Sequence, residues 1–268
     1  MANSPGPLRA RKRFGQNFLR DDRVIARIVK SIQPRPEDRL VEIGPGQGAL
    51  TGALLEAHGR LDAIELDRDL LAGLRTRFFN YPDFRLYEGD ALHFDFAELR
   101  GEGPPLRVVG NLPYNISTPL IFHLIDSGAA IRDMHFMLQR EVVQRLAAEP
   151  GGGQWGRLSV MAQYHCQVMA LFSVPPDAFV PQPKVESSIV RLVPWGQKPH
   201  VAEDEALLSE LVRRAFAQRR KTLRNNLRGW IDSETLTALE IDPGRRPETL
   251  TVAEFVALSN HPAVTRPQ

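Results

Sequence analysis

The sequence predicts an α/β chain in which a strand-and-helix domain precedes a smaller, all-helical one. Three observations carry this. Apolar residues switch between strand-like runs and helical spacing over the first two thirds of the chain, glycine-rich or polar turns follow the strand-like runs, and strand signals stop after Pro194.

Taken in order, Asp21 stands as an N-cap, and Val24, Ile25, Ile28, Val29 and Ile32 recur at helical spacing until Pro34 and Pro36 break the pattern. The run at 40–43 enters a glycine-rich turn that opens a helix carrying Leu50, Leu54 and Leu55. A strand at 61–66, a helix at 69–79 and strands at 84–88 and 106–109 continue the alternation, which implies parallel pairing. Thr118 and Pro119 open a helix that runs through Ile125 and ends at Gly128, and 134–138 is the next strand. The glycine-rich segment 149–154 is a loop. Strands at 167–174 and 187–193 flank the proline-rich stretch 175–183. From Glu203 onward the periodicity is helical, and Thr251 with Glu254 forms a capping box. The expected boundary lies at 195–199, giving domains 1–197 and 198–268.

Composition narrows the function classes. With 268 residues, 43% hydrophobic and 25% charged, the chain can bury a substantial core, which excludes a disordered segment. No apolar run approaches the roughly 18 residues of a membrane span, and the basic N-terminus lacks the apolar stretch of a signal peptide. Cys166 is the only cysteine, so an internal disulfide and a cysteine zinc cage are excluded, and a cytoplasmic location is expected. The seven histidines are scattered without metal-site spacing, and no metal is expected. The net charge of +2 conceals two blocks free of acids: Arg9, Arg11, Lys12 and Arg13, and then Arg213, Arg214, Arg219, Arg220, Lys221, Arg224 and Arg228. Such blocks suit a phosphate-rich partner or a solvated helix face.

Three turns after strands carry the chemistry. Glu42-Ile43-Gly44-Pro45-Gly46-Gln47-Gly48-Ala49 lets a ligand approach the backbone, and Glu65 ends the next strand, where an acid accepts ribose hydroxyls. A nicotinamide enzyme, an S-adenosylmethionine enzyme and a purely structural tight turn all satisfy this pattern. Asp90, in Gly89-Asp90-Ala91, recognises an adenine amino group or caps the following segment. The sharpest signal is Asn111-Leu112-Pro113-Tyr114. An exocyclic amine donates its lone pair into the base ring, so alkylating it is easier when acceptors hold it toward tetrahedral geometry. Asn111 and the Leu112 carbonyl supply such acceptors, Tyr114 supplies a stacking face, and Pro113 stiffens the loop.

These segments, with Phe14-Gly15-Gln16-Asn17-Phe18-Leu19, Glu65-Leu66-Asp67, Phe179-Val180-Pro181-Gln182-Pro183-Lys184-Val185-Glu186-Ser187 and the stretch 216–227, resemble the KsgA-type ribosomal RNA adenine dimethyltransferases. That family also contains the erythromycin-resistance ribosomal methyltransferases and the mitochondrial transcription factor B proteins. The resemblance implies a Rossmann-like methyltransferase domain with a small helical RNA-binding domain. It places Gln16, Asn17 and Leu19 over S-adenosylmethionine, Gly44 and Gly46 beside it, Glu65 on its ribose and Asp90 near its adenine, with Asn111 between cofactor and target. Phe179 is implied to stack on the target adenine opposite Tyr114, and Arg219, Arg220, Lys221 and Arg224 to hold RNA phosphate on a helix face. The implied reaction is N6-dimethylation of two adjacent adenosines in a small-subunit ribosomal RNA hairpin, within an immature 30S particle; the sequence suggests no large apolar oligomer face, so a monomer is expected. A resistance-type enzyme acting on large-subunit RNA and an assembly factor whose binding outweighs its chemistry are the alternatives. A nicotinamide dehydrogenase accounts for neither Asn111–Tyr114 nor the basic blocks.

Overall fold

The computed structural model describes residues 17–265. Its strands are β1 (Phe18–Leu19), β2 (Arg39–Ile43), β3 (Leu61–Glu65), β4 (Phe84–Glu88), β5 (Leu106–Asn111), β6 (Ile131–Gln139), β7 (Cys166–Val174), β8 (Phe179–Val180) and β9 (Ser187–Pro194). Its α-helices are α1 (Asp22–Ile32), α2 (Ala49–His58), α3 (Arg68–Arg77), α4 (Phe96–Arg100), α5 (Ser117–Asp126), α6 (Arg140–Leu146), α7 (Arg157–His165), α8 (Glu205–Ala215), α9 (Leu223–Asn226), α10 (Ser233–Ala238) and α11 (Val252–Ser259). The chain forms two compact units. The first runs to Val143 and resumes over Met169–Pro194; the second takes Gln144–Val168 and continues from Trp195.

The first unit is built on a sheet of order β4-β3-β2-β5-β6-β9-β7. β4, β3, β2, β5 and β6 are mutually parallel, as βα units require, and β9 returns antiparallel to β6. Local chemistry fixes the helices. Asp21 caps α1 by accepting from the Arg23 and Val24 amides, and Ile25, Ile28 and Ile32 turn inward. They join Leu40, Leu50, Leu54, Leu61, Leu74 and Phe78 in a continuous core. α5 begins at Ser117 without a side-chain cap, so Pro119 sits inside its first turn. β1 and β8 form a separate two-stranded antiparallel pair, Phe18 opposite Val180 and Leu19 opposite Phe179.

The second unit explains why the contiguous division at 197/198 differs from the observed one. Trp155 and Tyr164 lie upstream of that point, yet both are buried at 1% exposure among helical residues. Trp155 Nε1 donates to the Leu250 carbonyl at 2.9 Å, and the Tyr164 hydroxyl donates to Glu205 at 3.1 Å while accepting from the Ala202 amide. α8 buries Leu207, Leu208, Leu211 and Val212, and α11 buries Phe255, Val256 and Leu258. Thr251 and Glu254 make the expected capping box.

Candidate active site

Parallel register brings the carboxyl ends of β2, β3, β4 and β5 to one edge, the place where open α/β sheets bind ligands. A cavity opens there. Its wall includes Asn17 and Leu19, the turn from Gly44 to Gln47, Glu65, Asp90, and the loop from Asn111 to Ile116. Gly44 and Gly46 both have positive φ, +66° and +59°, which side-chain-bearing residues rarely adopt. A Cβ on Gly44 would meet no protein atom within 4 Å, so this backbone faces open space, whereas one on Gly46 would press on the Phe18 ring at 3.2 Å. At Gly110 a Cβ would lie 2.6 Å from the Ile43 carbonyl oxygen, and that close backbone approach sets Asn111 beside the glycine turn.

Glu65 is buried at 6% exposure. Its Oε2 accepts from the Gly46 amide at 3.2 Å and its Oε1 from the Asp67 amide at 2.8 Å, which joins the end of β3 to the turn after β2. Burial raises its pKa above the ordinary carboxylate value, against the lowering effect of those two amides. Glu42 lies deeper, at 2% exposure, and accepts from Thr51 Oγ1 at 2.6 Å. Burial first, and the neighbouring Glu65 charge as well, push Glu42 up to about 8. Sequence reasoning assigns Glu42 no role, although an acid inside an apolar strand directly before a glycine turn is the available signal. Asp90 Oδ1 accepts from the Leu92 amide and Oδ2 bonds His93, so its local work is a turn and no α-helix starts on it.

Among the described residues no Lys, Arg or His lines the cavity, while Glu42, Glu65, Asp67 and Asp90 do. Arg20 and Arg77 bond Gln47 from outside that lining. The described lining therefore presents acceptors and acidic groups to a ligand.

Asn111 ends β5, and its Nδ2 donates to the Asn17 carbonyl at 2.9 Å. That bond fixes the carboxamide orientation, and Oδ1 takes no partner among the described residues. The Leu112 amide donates to the Met137 carbonyl, which pins the loop to β6. Tyr114 is half-buried, and its hydroxyl bonds Ser187 Oγ at 3.1 Å. Phe179 does not line the cavity: at 1% exposure it belongs to the hydrophobic core, because its pairing with Leu19 turns it inward. Gln16 lies outside the described residues.

In the second unit Arg219, Arg220, Lys221 and Arg224 are all exposed. They do not form the expected helix face. The first three occupy the turn between α8 and α9, where Arg219 bonds the Gly153 carbonyl, and only Arg224 is helical. The Leu223 and Arg224 amides donate to the Arg245 and Pro243 carbonyls, which holds the turn's exit in place. Glu210, just before the basic block, pairs with Arg213 and Arg214 and removes both from the free positive charge.

The family model of ribosomal RNA adenine dimethylase matches residues 8–263. A ribosomal RNA small subunit methyltransferase A from Chromohalobacter salexigens is 66% identical over 271 residues, covering 100% of this chain and 96% of that protein. The protein of the same name from Pseudomonas aeruginosa is 61% identical, with 94% of each chain covered. Among solved structures, a dimethyladenosine transferase from Plasmodium falciparum superposes with a TM-score of 0.76 at 25% identity, over 90% of this chain and 95% of that one. The 23S rRNA methyltransferase ErmE shares the fold with a TM-score of 0.73 at 24% identity, over 91% and 98%. This chain belongs to the ribosomal RNA adenine dimethylase family.

Proposed function

We propose that the protein transfers methyl groups from S-adenosylmethionine to N6 of two adjacent adenosines in a small-subunit ribosomal RNA hairpin, giving N6,N6-dimethyladenosine on an immature 30S particle in the cytoplasm. The observation that carries this reading is a cavity that Glu42, Glu65, Asp67 and Asp90 line together with Asn111, Leu112 and Tyr114, with no cation among the described lining residues. The relatives named small subunit methyltransferase A, at 57–66% identity, support the small-subunit substrate over the large-subunit alternative.

The cavity suits the cofactor. The open backbone at Gly44 leaves room for its close approach, Glu65 retains acceptor capacity for ribose hydroxyls, and Asp90 stands on the wall for the adenine amino group. Asn17 and Leu19 close the same wall, and Gln16 precedes them in sequence. When bound, S-adenosylmethionine supplies a methyl carbon to the amine while the C–S bonding pair returns to sulfur. The protein's work is positioning: Asn111 Oδ1 and the Leu112 carbonyl each accept a hydrogen bond from the amine, directing the nitrogen lone pair out of the ring plane, and Tyr114 holds the base face. No strong base is required, because the amine proton becomes acidic as the new N–C bond forms and then passes to water. Phe179 takes part in stacking only if it leaves the core, so Tyr114 carries that role in this conformation. Arg219, Arg220, Lys221 and Arg224 supply phosphate contacts for the ribosomal RNA.

Transfer of labelled methyl to purified, undermethylated small subunits, followed by nucleoside analysis, tests the proposal. Dimethyladenosine at about two residues per subunit is expected. Label confined to large-subunit RNA moves the substrate to the resistance branch, and no label in either overturns the catalytic reading. Asn111→Ala is expected to lower transfer by roughly 100-fold or more while leaving subunit binding intact. The exposed cationic turn favours a second, compatible role in subunit assembly, in which the Asn111→Ala protein still binds immature subunits and alters their maturation.

A further inference from the structure

The Tyr114 hydroxyl has no part in the chemistry described above, since stacking requires only a ring face. It nonetheless has a definite partner, Ser187 Oγ at 3.1 Å. Ser187 is 1% exposed, and Tyr114 is its only side-chain partner among the described residues. It stands at the start of β9 in register with Gln139 at the end of β6, and the Arg140 amide donates to the Glu186 carbonyl immediately beside it at 2.9 Å. The serine is therefore mounted on rigid sheet. Tyr114 is not: it occupies a turn between β5 and α5, closed by the bond from the Ile116 amide to the Pro113 carbonyl and by Ser117 Oγ donating to the Tyr114 carbonyl. A ring rooted in a turn is free to swing about its two side-chain torsions unless its far end is tied down.

We propose that Ser187 is a positioning residue: its bond to the Tyr114 hydroxyl fixes the plane on which the target base stacks, and so governs completion of the second methyl transfer. This rests on the reading of Tyr114 as the base-stacking face. The unmethylated amine has two hydrogens and engages both Asn111 Oδ1 and the Leu112 carbonyl. After one transfer the amine keeps a single hydrogen, one of those bonds is lost, and the orientation of the base depends more heavily on the ring beneath it. Loosening the ring therefore harms the second transfer more than the first.

The test follows mono- and dimethyladenosine over time on undermethylated small subunits with Ser187→Ala, Tyr114→Phe and the double variant. Each single variant is expected to slow the second transfer about tenfold, the effect of one lost hydrogen bond, with a smaller effect on the first, so that monomethyladenosine accumulates. The double variant is expected to be no slower than either single one, because both remove the same bond. Ser187→Thr, which keeps the hydroxyl, is expected to restore the ratio of dimethylated to monomethylated product. Equal slowing of both transfers, effects that multiply in the double variant, or an unchanged product ratio would overturn the proposal. Should Ser187→Ala fail to fold, Tyr114→Phe removes the same bond from the half-buried side and reads the same product ratio. Tyr114→Ala separates the two levels: wild-type transfer in that variant sinks the stacking reading itself, whereas lost transfer there with normal product ratios in Ser187→Ala and Tyr114→Phe sinks only the role of Ser187.

Discussion

At the amino ends of β2, β5 and β6, Asp38 and Asp133 are buried against arginines; at the carboxyl ends of β2 and β3, Glu42 and Glu65 are buried against none among the described residues. Arg107 is 4% exposed and spends its guanidinium on five bonds, to both Asp133 oxygens, to Asp38, and to the Ile32 and Gln33 carbonyls that end α1. Arg132 adds a bond to Asp38, and Arg191 adds one to Asp133. Burial works to raise both aspartates, but the Arg35 amide with Arg107 and Arg132 outweighs it at Asp38, and Arg107 with His135 and Arg191 outweighs it at Asp133, so both are held below their ordinary value. At the opposite edge the same burial is opposed only by amides and a threonine hydroxyl, and the glutamates rise. One end of the sheet is electrostatically closed; at the other, among the described residues, no guanidinium or ammonium offsets the acids. Buried acids are thus compensated by guanidiniums at one end and line a cavity at the other.

The strongest way to break this comparison is at the closed end. Arg107→Met leaves Asp38 and Asp133 short of their principal partner and is expected to lower unfolding free energy by about 3–5 kcal/mol, read from the urea midpoint. An unchanged midpoint would show that Arg132 and Arg191 suffice.

The pH dependence of stability sharpens the contrast, because the two ends have opposite signs. His135, 3% exposed, is pushed by burial down to about 4. Unfolded chains take up its proton below 6.5 and the native state only below about 4, so this residue makes stability fall as pH drops through that window. Asp38 and Asp133 extend the loss to lower pH, since the stability they give is present above 3.8 and disappears as pH falls through their depressed native values. Glu42 does the reverse. Its native pKa of about 8 lies above the ordinary 4.5, so the protein holds a proton that the unfolded chain has released, and stability falls as pH rises from 4.5 to about 8. Glu42→Gln keeps an acceptor for Thr51 and is expected to raise stability at pH 8.5 by roughly a few kcal/mol, with little change at pH 4.5. Equal effects at both pH values would contradict the assignment.

The smallest expected effect lies in the second unit. Arg220→Ala removes one exposed cation and is expected to weaken RNA binding severalfold and to reduce the slope of log affinity against log salt by about 1, with single-turnover methyl transfer unchanged.

Much of this was legible in the sequence where the physics is local. The α1 cap at Asp21, the strand-turn-helix at Gly44–Gln47 and the capping box at Thr251 depend on neighbours a few residues away, and the chain displays them. What depends on distant partners was hidden. β1 and β8 are two residues each, too short for periodicity, and exist through pairing with each other. α7 carries no signal for which compact unit it joins, and Trp155 just before it and Tyr164 within it decide that through contacts made far along the chain. The placement of Phe179 in the core follows from its register with Leu19, and the shape of the cationic segment from a turn that composition alone cannot reveal. The cluster around Arg107 was invisible because its members are 26 and 69 residues apart.

The most direct test of the contrast between the two ends is calorimetric titration of the purified protein with S-adenosylmethionine and, separately, with a nicotinamide dinucleotide. Saturable one-site binding of S-adenosylmethionine, weakened roughly 10- to 100-fold in Glu65→Gln and absent for the dinucleotide, is the predicted result. Binding of the dinucleotide, or S-adenosylmethionine binding indifferent to Glu65, would contradict the account of the open end as a site built from uncompensated acids.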